Sequence, residues 1–290
     1  MSHPVNHNHQ KKIALINDYS GFGRCSVAVQ LPLISKLKIQ CCPIPTSIFS
    51  NHTGFPEFAY QDYTEHMELY MEMWKKLGLE FKGISSGFLG CARQIQIVRN
   101  FIRDFRGEDT IVLVDPVMGD YGKLYPTYTD EMCQEIRRLV ELADIVTPNL
   151  TEACILTGTP YHETWKLAEL DTLIRSVAAI GTAKKVVITG IPQKSFLCNM
   201  CYDGTGEEPV MRMVKTHKIG TSRSGTGDIF SAIVIADAVN GVEFQQSVKR
   251  ASAFIRRCIL KAIEMDIPVT DGVPFEEILD KLKVSYGNEE

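Results

Sequence analysis

No apolar run in this 290-residue sequence approaches the ~20 residues that a membrane-spanning helix requires, and the polar N-terminus lacks the apolar stretch of a signal peptide. A basic surplus is missing as well. Thirty-one Lys and Arg stand against 35 Asp and Glu, a net charge of −4, which argues against an extended nucleic-acid footprint but leaves room for a local basic pocket. The nine cysteines are odd in number and scattered, too sparse for a disulfide scaffold, so reduced thiols in a cytoplasmic protein are expected. Cys198 and Cys201 form a C-x-x-C with no second ligand pair, and zinc is not expected there. Several catalytic signatures are also absent. Without G-x-x-x-x-G-K-[ST] there is no Walker-type phosphate loop. The segment from Gly225 to Phe230 ends in Phe and fails the dinucleotide fingerprint, and neither H-E-x-x-H nor a nucleophile elbow supports a hydrolase.

What remains is an ordinary globular composition, 44% hydrophobic and 23% charged, at a length that suits one large domain. Residues 1–11, with His3, His7 and His9, read as a disordered polar leader, weak metal binding being the alternative; residues 12–290 read as a single domain. Short apolar runs alternate with longer amphipathic stretches. Strands are expected at 12–17, 40–49, 83–88, 110–115, 144–147 and 185–189, with an antiparallel pair at 193–202 and 210–214. Helices are expected at 26–36, kinked or delayed by Pro32, and at 62–77, 92–106, 130–142, 167–180, 228–239 and 244–264, with another beginning at Glu152. That alternation implies βαβ units and an α/β fold around a central, mainly parallel sheet.

In such sheets ligands collect at the C-terminal ends of strands. The rule selects 18–23, 115–125, 147–152 and 189–190, to which Gly225-Thr-Gly-Asp228 adds a glycine-rich turn opening a helix. Two glycines there let a phosphate approach the backbone, and the free N–H groups of the helix start form an anion hole. Asp228 is placed to accept a hydroxyl proton, although a plain glycine turn before a helix explains the segment equally well when it is taken alone. Asp115 and Asp120 are carboxylates at a strand exit suited to Mg²⁺, or simply a polar loop. Thr147-Pro-Asn-Leu-Thr-Glu152 offers a hydroxyl, an amide and a carboxylate, or a helix cap. In Ser50-Asn-His-Thr-Gly-Phe55 a buried, internally bonded His52 is favoured over a ligand contact.

Together these segments resemble the ribokinase superfamily, and more closely its vitamin B6 branch, the pyridoxal/pyridoxamine kinases. Ser50-Asn-His-Thr-Gly-Phe resembles the SNHTGY/F segment of those kinases, Asp115-Pro-Val-Met-Gly-Asp120 their DPVxGD loop, and Gly225-Thr-Gly-Asp-Ile-Phe-Ser-Ala232 the GTGDxFxA signature of the superfamily. Thr147 to Glu152 adds the TPNxxE element, and the likeness spans about residues 12–270. The resemblance implies a three-layer ribokinase-like α/β/α fold with a small β edge or lid. It also implies ATP-dependent phosphorylation of the 5′-hydroxymethyl group of pyridoxal, pyridoxamine or pyridoxine. Carried over by position, Asp228 is the catalytic base, and Gly225, Thr226 and Gly227 form the anion hole. Asn17, Asp18, Thr53 and Phe88 lie at the vitamer ring, and Asp120, Tyr125, Thr147, Asn149, Glu152 and Thr189 at ATP. Asp115, Asp120 and Glu152 lie near the metal. The implied cofactors are ATP and Mg²⁺, with a monovalent cation left open; the implied partners are the vitamer and a second copy in a homodimer, with neither nucleic acid nor membrane. Phe88 stands where the family often has Tyr, and Asp18 where better-known relatives have a Ser-His segment. Runner-up readings are a hydroxymethylpyrimidine kinase, a sugar kinase and a non-catalytic vitamer binder.

Overall fold

A computed structural model describes residues 9–287. His3 and His7 lie outside the described residues, and His9 is exposed. The first crossover runs from β1 (Lys12–Ser20) through α1 (Ser26–Lys36) to β2 (Gln40–Phe49) and a short edge strand β3 (Tyr60–Asp62). The chain then crosses by α2 (Thr64–Leu77) to β4 (Gly83–Ser86), by α3 (Ala92–Phe105) to β5 (Ile111–Val114), and through a tiny hairpin, β6 (Gly119–Asp120) and β7 (Lys123–Leu124). After it come α4 (Asp130–Val140), β8 (Ile145–Val146), α5 (Leu150–Thr157) and α6 (Leu167–Ala178). A meander of β9 (Lys185–Gln193), β10 (Phe196–Asp203) and β11 (Val210–His217) leads to α7 (Thr226–Val239) and α8 (Phe244–Glu264).

The nine-stranded sheet has the order β11-β10-β9-β8-β5-β4-β1-β2-β3, parallel from β2 to β9 and antiparallel at both edges. Buried strands alternate their side chains between two cores. Ala14 and Ile16 of β1 join the core under α2 to α6, while Ile13 and Leu15 join the core under α1, α7 and α8. Three layers result, as expected. The chain leaves β1 toward β2 on one side and returns to β4 on the other, so the ends of β1 and β4 form the switch point at which α/β folds bind ligands.

The differences from the sequence reading have local causes. Helix α1 starts at Ser26 and continues through Pro32, leaving the Ala28 carbonyl without its usual donor. Gln193 belongs to β9, because the chain reverses at Lys194, whose φ is 52°, and Ser195. The three residues of β3 are all exposed and show no apolar alternation. Cys198 packs into one core and Cys201 into the other, so the pair faces opposite sides of the sheet and shares no ligand.

Candidate active site

The glycine turn before α7 is set by contact as well as by sequence. Gly225 caps the helix with φ 79°, and a Cβ there would stand 1.9 Å from the Arg24 carbonyl oxygen, so no other residue fits. The first-turn N–H groups of α7 are thereby presented beside the half-buried Asp228. Arg24 and Ser26 also hold left-handed conformations, with φ 49° and 55°. The strain at Ser26 has a use. Its backbone N–H lies beside the Asp228 carboxylate and favours its charge, while its hydroxyl donates to Asp18 Oδ1 at 2.6 Å.

Asn17, at the end of β1, is the hub. Its Oδ1 accepts the backbone N–H groups of Asp18 (3.0 Å) and Phe88 (2.8 Å), and its Nδ2 donates to Gln30 Oε1 (2.8 Å) and Asp228 Oδ1 (3.1 Å). Gly87 makes room, since a Cβ there would lie 2.6 Å from the Asn17 amide. The four hydrogen-bonding positions of the Asn17 amide are thus all engaged with protein. Asp18 is likewise enclosed. It is 6% exposed, with Ser20 Oγ on Oδ2 (3.0 Å) and Ser26 Oγ on Oδ1, so it braces the turn.

Burial first, then the neighbouring Asp228 charge, pushes Asp18 up to about 6 and Asp115 well above the carboxylate range. Asp228 itself is raised by burial, against the Ser26 N–H, the Asn17 amide and its own N–H, which favour the ionised form. Glu152 is raised by burial and by Asp115. Its two oxygens accept the Met118 and Asn149 N–H groups (3.1 and 2.8 Å), so it fastens the Met118 backbone to the start of α5. Asn149 caps α5 through Oδ1 and holds Gly119 O through Nδ2 (2.8 Å).

Asp120 is half-buried and raised by burial, its Oδ1 taking the Tyr121 N–H at 2.8 Å. Thr189 Oγ1 lies 3.4 Å from Pro148 O, beside Asn149 across a parallel bridge. The Thr147 hydroxyl is buried near Asp115 yet outside hydrogen-bond geometry, leaving it without a partner. Tyr125 is 39% exposed, its hydroxyl pushed up by burial and by Glu152 and Asp120. Among the described residues, no three His, Cys, Asp or Glu side chains come together to hold a metal unaided. An orphaned Thr147 hydroxyl and acids raised by burial and by one another's charge would suit a hydrated divalent cation bound jointly with phosphates, which Asp120 and Asp115 would hold.

Across the switch point, the SNHTGF turn folds toward the β1 exit, its His52 N–H bonding Phe22 O. His52 Nδ1 accepts the Gly54 N–H (3.0 Å), so the proton sits on Nε2 and is donated to Thr270 O (2.7 Å). The ring is internally bonded, as expected, but not buried. Thr53 is exposed at the tip of this turn. Phe88 is half-buried, edge-on to Phe49 at 6.2 Å, while Phe22 and Phe55 pair at 5.6 Å. Sequence reasoning missed Ser26, Gln30, Gly87 and Ser231. The only signal was a lone Gln inside the apolar helix SVAVQLPLISK.

Three comparisons bear on this geometry. The phosphomethylpyrimidine kinase family model matches residues 46–270. A Bacteroides thetaiotaomicron protein described as a candidate phosphomethylpyrimidine kinase, solved with pyridoxal, is 36% identical at a TM-score of 0.90, covering 94% of this chain and 96% of that one. The Arabidopsis thaliana pyridoxal kinase is 29% identical over 200 residues, 67% of this chain and 63% of the plant protein, so the match spans under two thirds of that relative. Leishmania donovani pyridoxal kinase, solved with ADP and pyridoxamine, shares the fold at a TM-score of 0.85 and 21% identity, over 94% and 96% of the two chains. With most of its length matched and its signature turn built into the switch-point cleft, the chain belongs to the phosphomethylpyrimidine kinase family of the ribokinase-like superfamily.

Proposed function

We propose that this protein phosphorylates the 5′-hydroxymethyl group of vitamin B6 compounds with ATP. The observation that carries the reading is the Asp228 carboxylate, held by Asn17 at the glycine-capped start of α7. A hydroxyl beside Asp228 loses its proton to the carboxylate as it attacks, while the α7 N–H groups at Gly225, Thr226 and Gly227 balance charge on the transferring phosphoryl group. The vitamer ring lies between Phe88 and the SNHTGF turn, where Thr53 is free to bond its polar edge. ATP lies along Asp120, Tyr125, Thr147, Asn149 and Thr189. Asp120 and Asp115 would hold Mg²⁺, which would supply charge to neutralise the phosphates. The pyridoxal found in the Bacteroides relative supports the pyridine substrate. The family name, phosphomethylpyrimidine kinase, supports a second reading, in which a hydroxymethylpyrimidine takes the same place.

The test is ADP release by the purified chain with MgATP and, separately, pyridoxal, pyridoxamine, pyridoxine, hydroxymethylpyrimidine or ribose. Turnover concentrated on the B6 compounds is expected. Preference for the pyrimidine would install the second reading, and none on any compound would reject both.

A further inference from the structure

Gln30 lies inside α1 at 2% exposure, in a helix whose other buried residues after Ser26 are all apolar, and no expected role touches it. Its surroundings leave its amide one orientation. Asn17 Oδ1 must be the oxygen, because it accepts two backbone N–H groups, so both Asn17 Nδ2 hydrogens face acceptors. One acceptor is Asp228 Oδ1 (3.1 Å), and the other is Gln30 Oε1 (2.8 Å). Gln30 therefore turns its own Nε2 to Ser231 Oγ at 3.0 Å, and Ser231 donates to the Asp228 carbonyl at 3.3 Å. The bonds close a circuit from Asp228 through Asn17, Gln30 and Ser231 back to Asp228, joining β1, α1 and α7.

We propose that Gln30 is a positioning residue, fixing the Asn17 amide against Asp228 so that the carboxylate faces the substrate hydroxyl. It touches no substrate. The inference rests on the kinase reading for its catalytic consequence, but the circuit itself is independent of it. A buried amide that merely fills space would be replaced by an apolar side chain of equal length without effect on turnover, whereas a brace would not. Removing Gln30 Oε1 leaves one Asn17 hydrogen without an acceptor in a dry site, and the amide is then free to swing away from Asp228.

The test compares the full chain with Gln30→Met, which keeps length and packing, and with Ser231→Ala, which frees the far end of the Gln30 amide and guards against a folding failure of the first variant. Two quantities are read: steady-state kinetics with MgATP and pyridoxal, and hydrogen exchange of the Asn17 side-chain NH₂ by NMR with ¹⁵N-labelled asparagine, assigned with Asn17→Asp. Gln30→Met should lower kcat by about tenfold or more with KM for ATP unchanged, and Asn17 should lose exchange protection. Ser231→Ala should move both readouts the same way by less. Unchanged Asn17 protection in the variants overturns the proposal whatever the activity, and lost protection with unaltered kcat overturns it equally. If the unmodified chain turns over no substrate, the kinase reading fails and the exchange measurement still decides the brace.

Discussion

A carboxylic acid takes a proton from a hydroxyl only in its ionised form, and burial opposes that form at Asp228. Three donors work against the burial: the Asn17 amide, the Ser26 N–H and the first-turn N–H of Asp228 itself. The balance leaves Asp228 raised, so the acid limb of the kcat/KM profile should lie above the 3.8 of an ordinary aspartate. Asp228→Asn should lower turnover by at least about 100-fold with little change in ATP affinity, since the amide keeps the shape but accepts no proton. Near-normal turnover by the folded variant would remove Asp228 from the base role.

Among the elements, the β6–β7 hairpin is the one whose geometry is most exacting. Tyr121 and Gly122 have φ of 51° and 76°, the two left-handed positions of a tight two-residue turn. The Gly122 N–H donates to Thr151 Oγ1 at 2.8 Å, and a Cβ on Gly122 would lie 2.5 Å from the Tyr161 ring. The hairpin is thus pressed against the loop after α5, with Asp120 on it and Tyr125 just beyond. Gly122→Ala should lift it from this seat and admit water, raising the ratio of ATP hydrolysed to vitamer phosphorylated. Tyr161→Ala in the same chain should restore part of the coupling by removing the clash. An unchanged ratio in Gly122→Ala would show that the hairpin does not exclude water.

At the scale of the whole molecule, the site concentrates acids at some cost to stability. Asp18 is pushed up to about 6, mainly by burial, and Asp115, Glu152 and Asp228 are raised as well. A raised acid binds its proton more tightly folded than unfolded. Its contribution is fully present below about 3.8 and is lost as pH rises through the folded value. For Asp18 that window runs from 3.8 to about 6. Relative to the unmodified chain, Asp18→Asn should gain about 2 kcal/mol between pH 4 and 7, read from urea midpoints. A difference that stays flat with pH would mean that Asp18 titrates as an exposed aspartate does.

Periodicity and turn chemistry are local, and for that reason the sequence alone determined the element order, the mainly parallel sheet and the strand ends at which chemistry collects. β2 and α8 run over the expected residues, and the glycine turn before α7 was legible because only glycine takes its left-handed cap. The edge strand β3 and the hairpin were not, being too short to carry a period. Side-chain partnership was decided by the tertiary structure. Asn17 and Asp228 are 211 residues apart, and Gln30 and Ser231 are 201 apart, so nothing near either residue announces its partner. A buried polar group must be satisfied by whatever the fold brings opposite it. That requirement drew Asn17 and Asp18 into the frame around Asp228, engaged Glu152 with backbone N–H groups, and sent Cys198 and Cys201 into different cores.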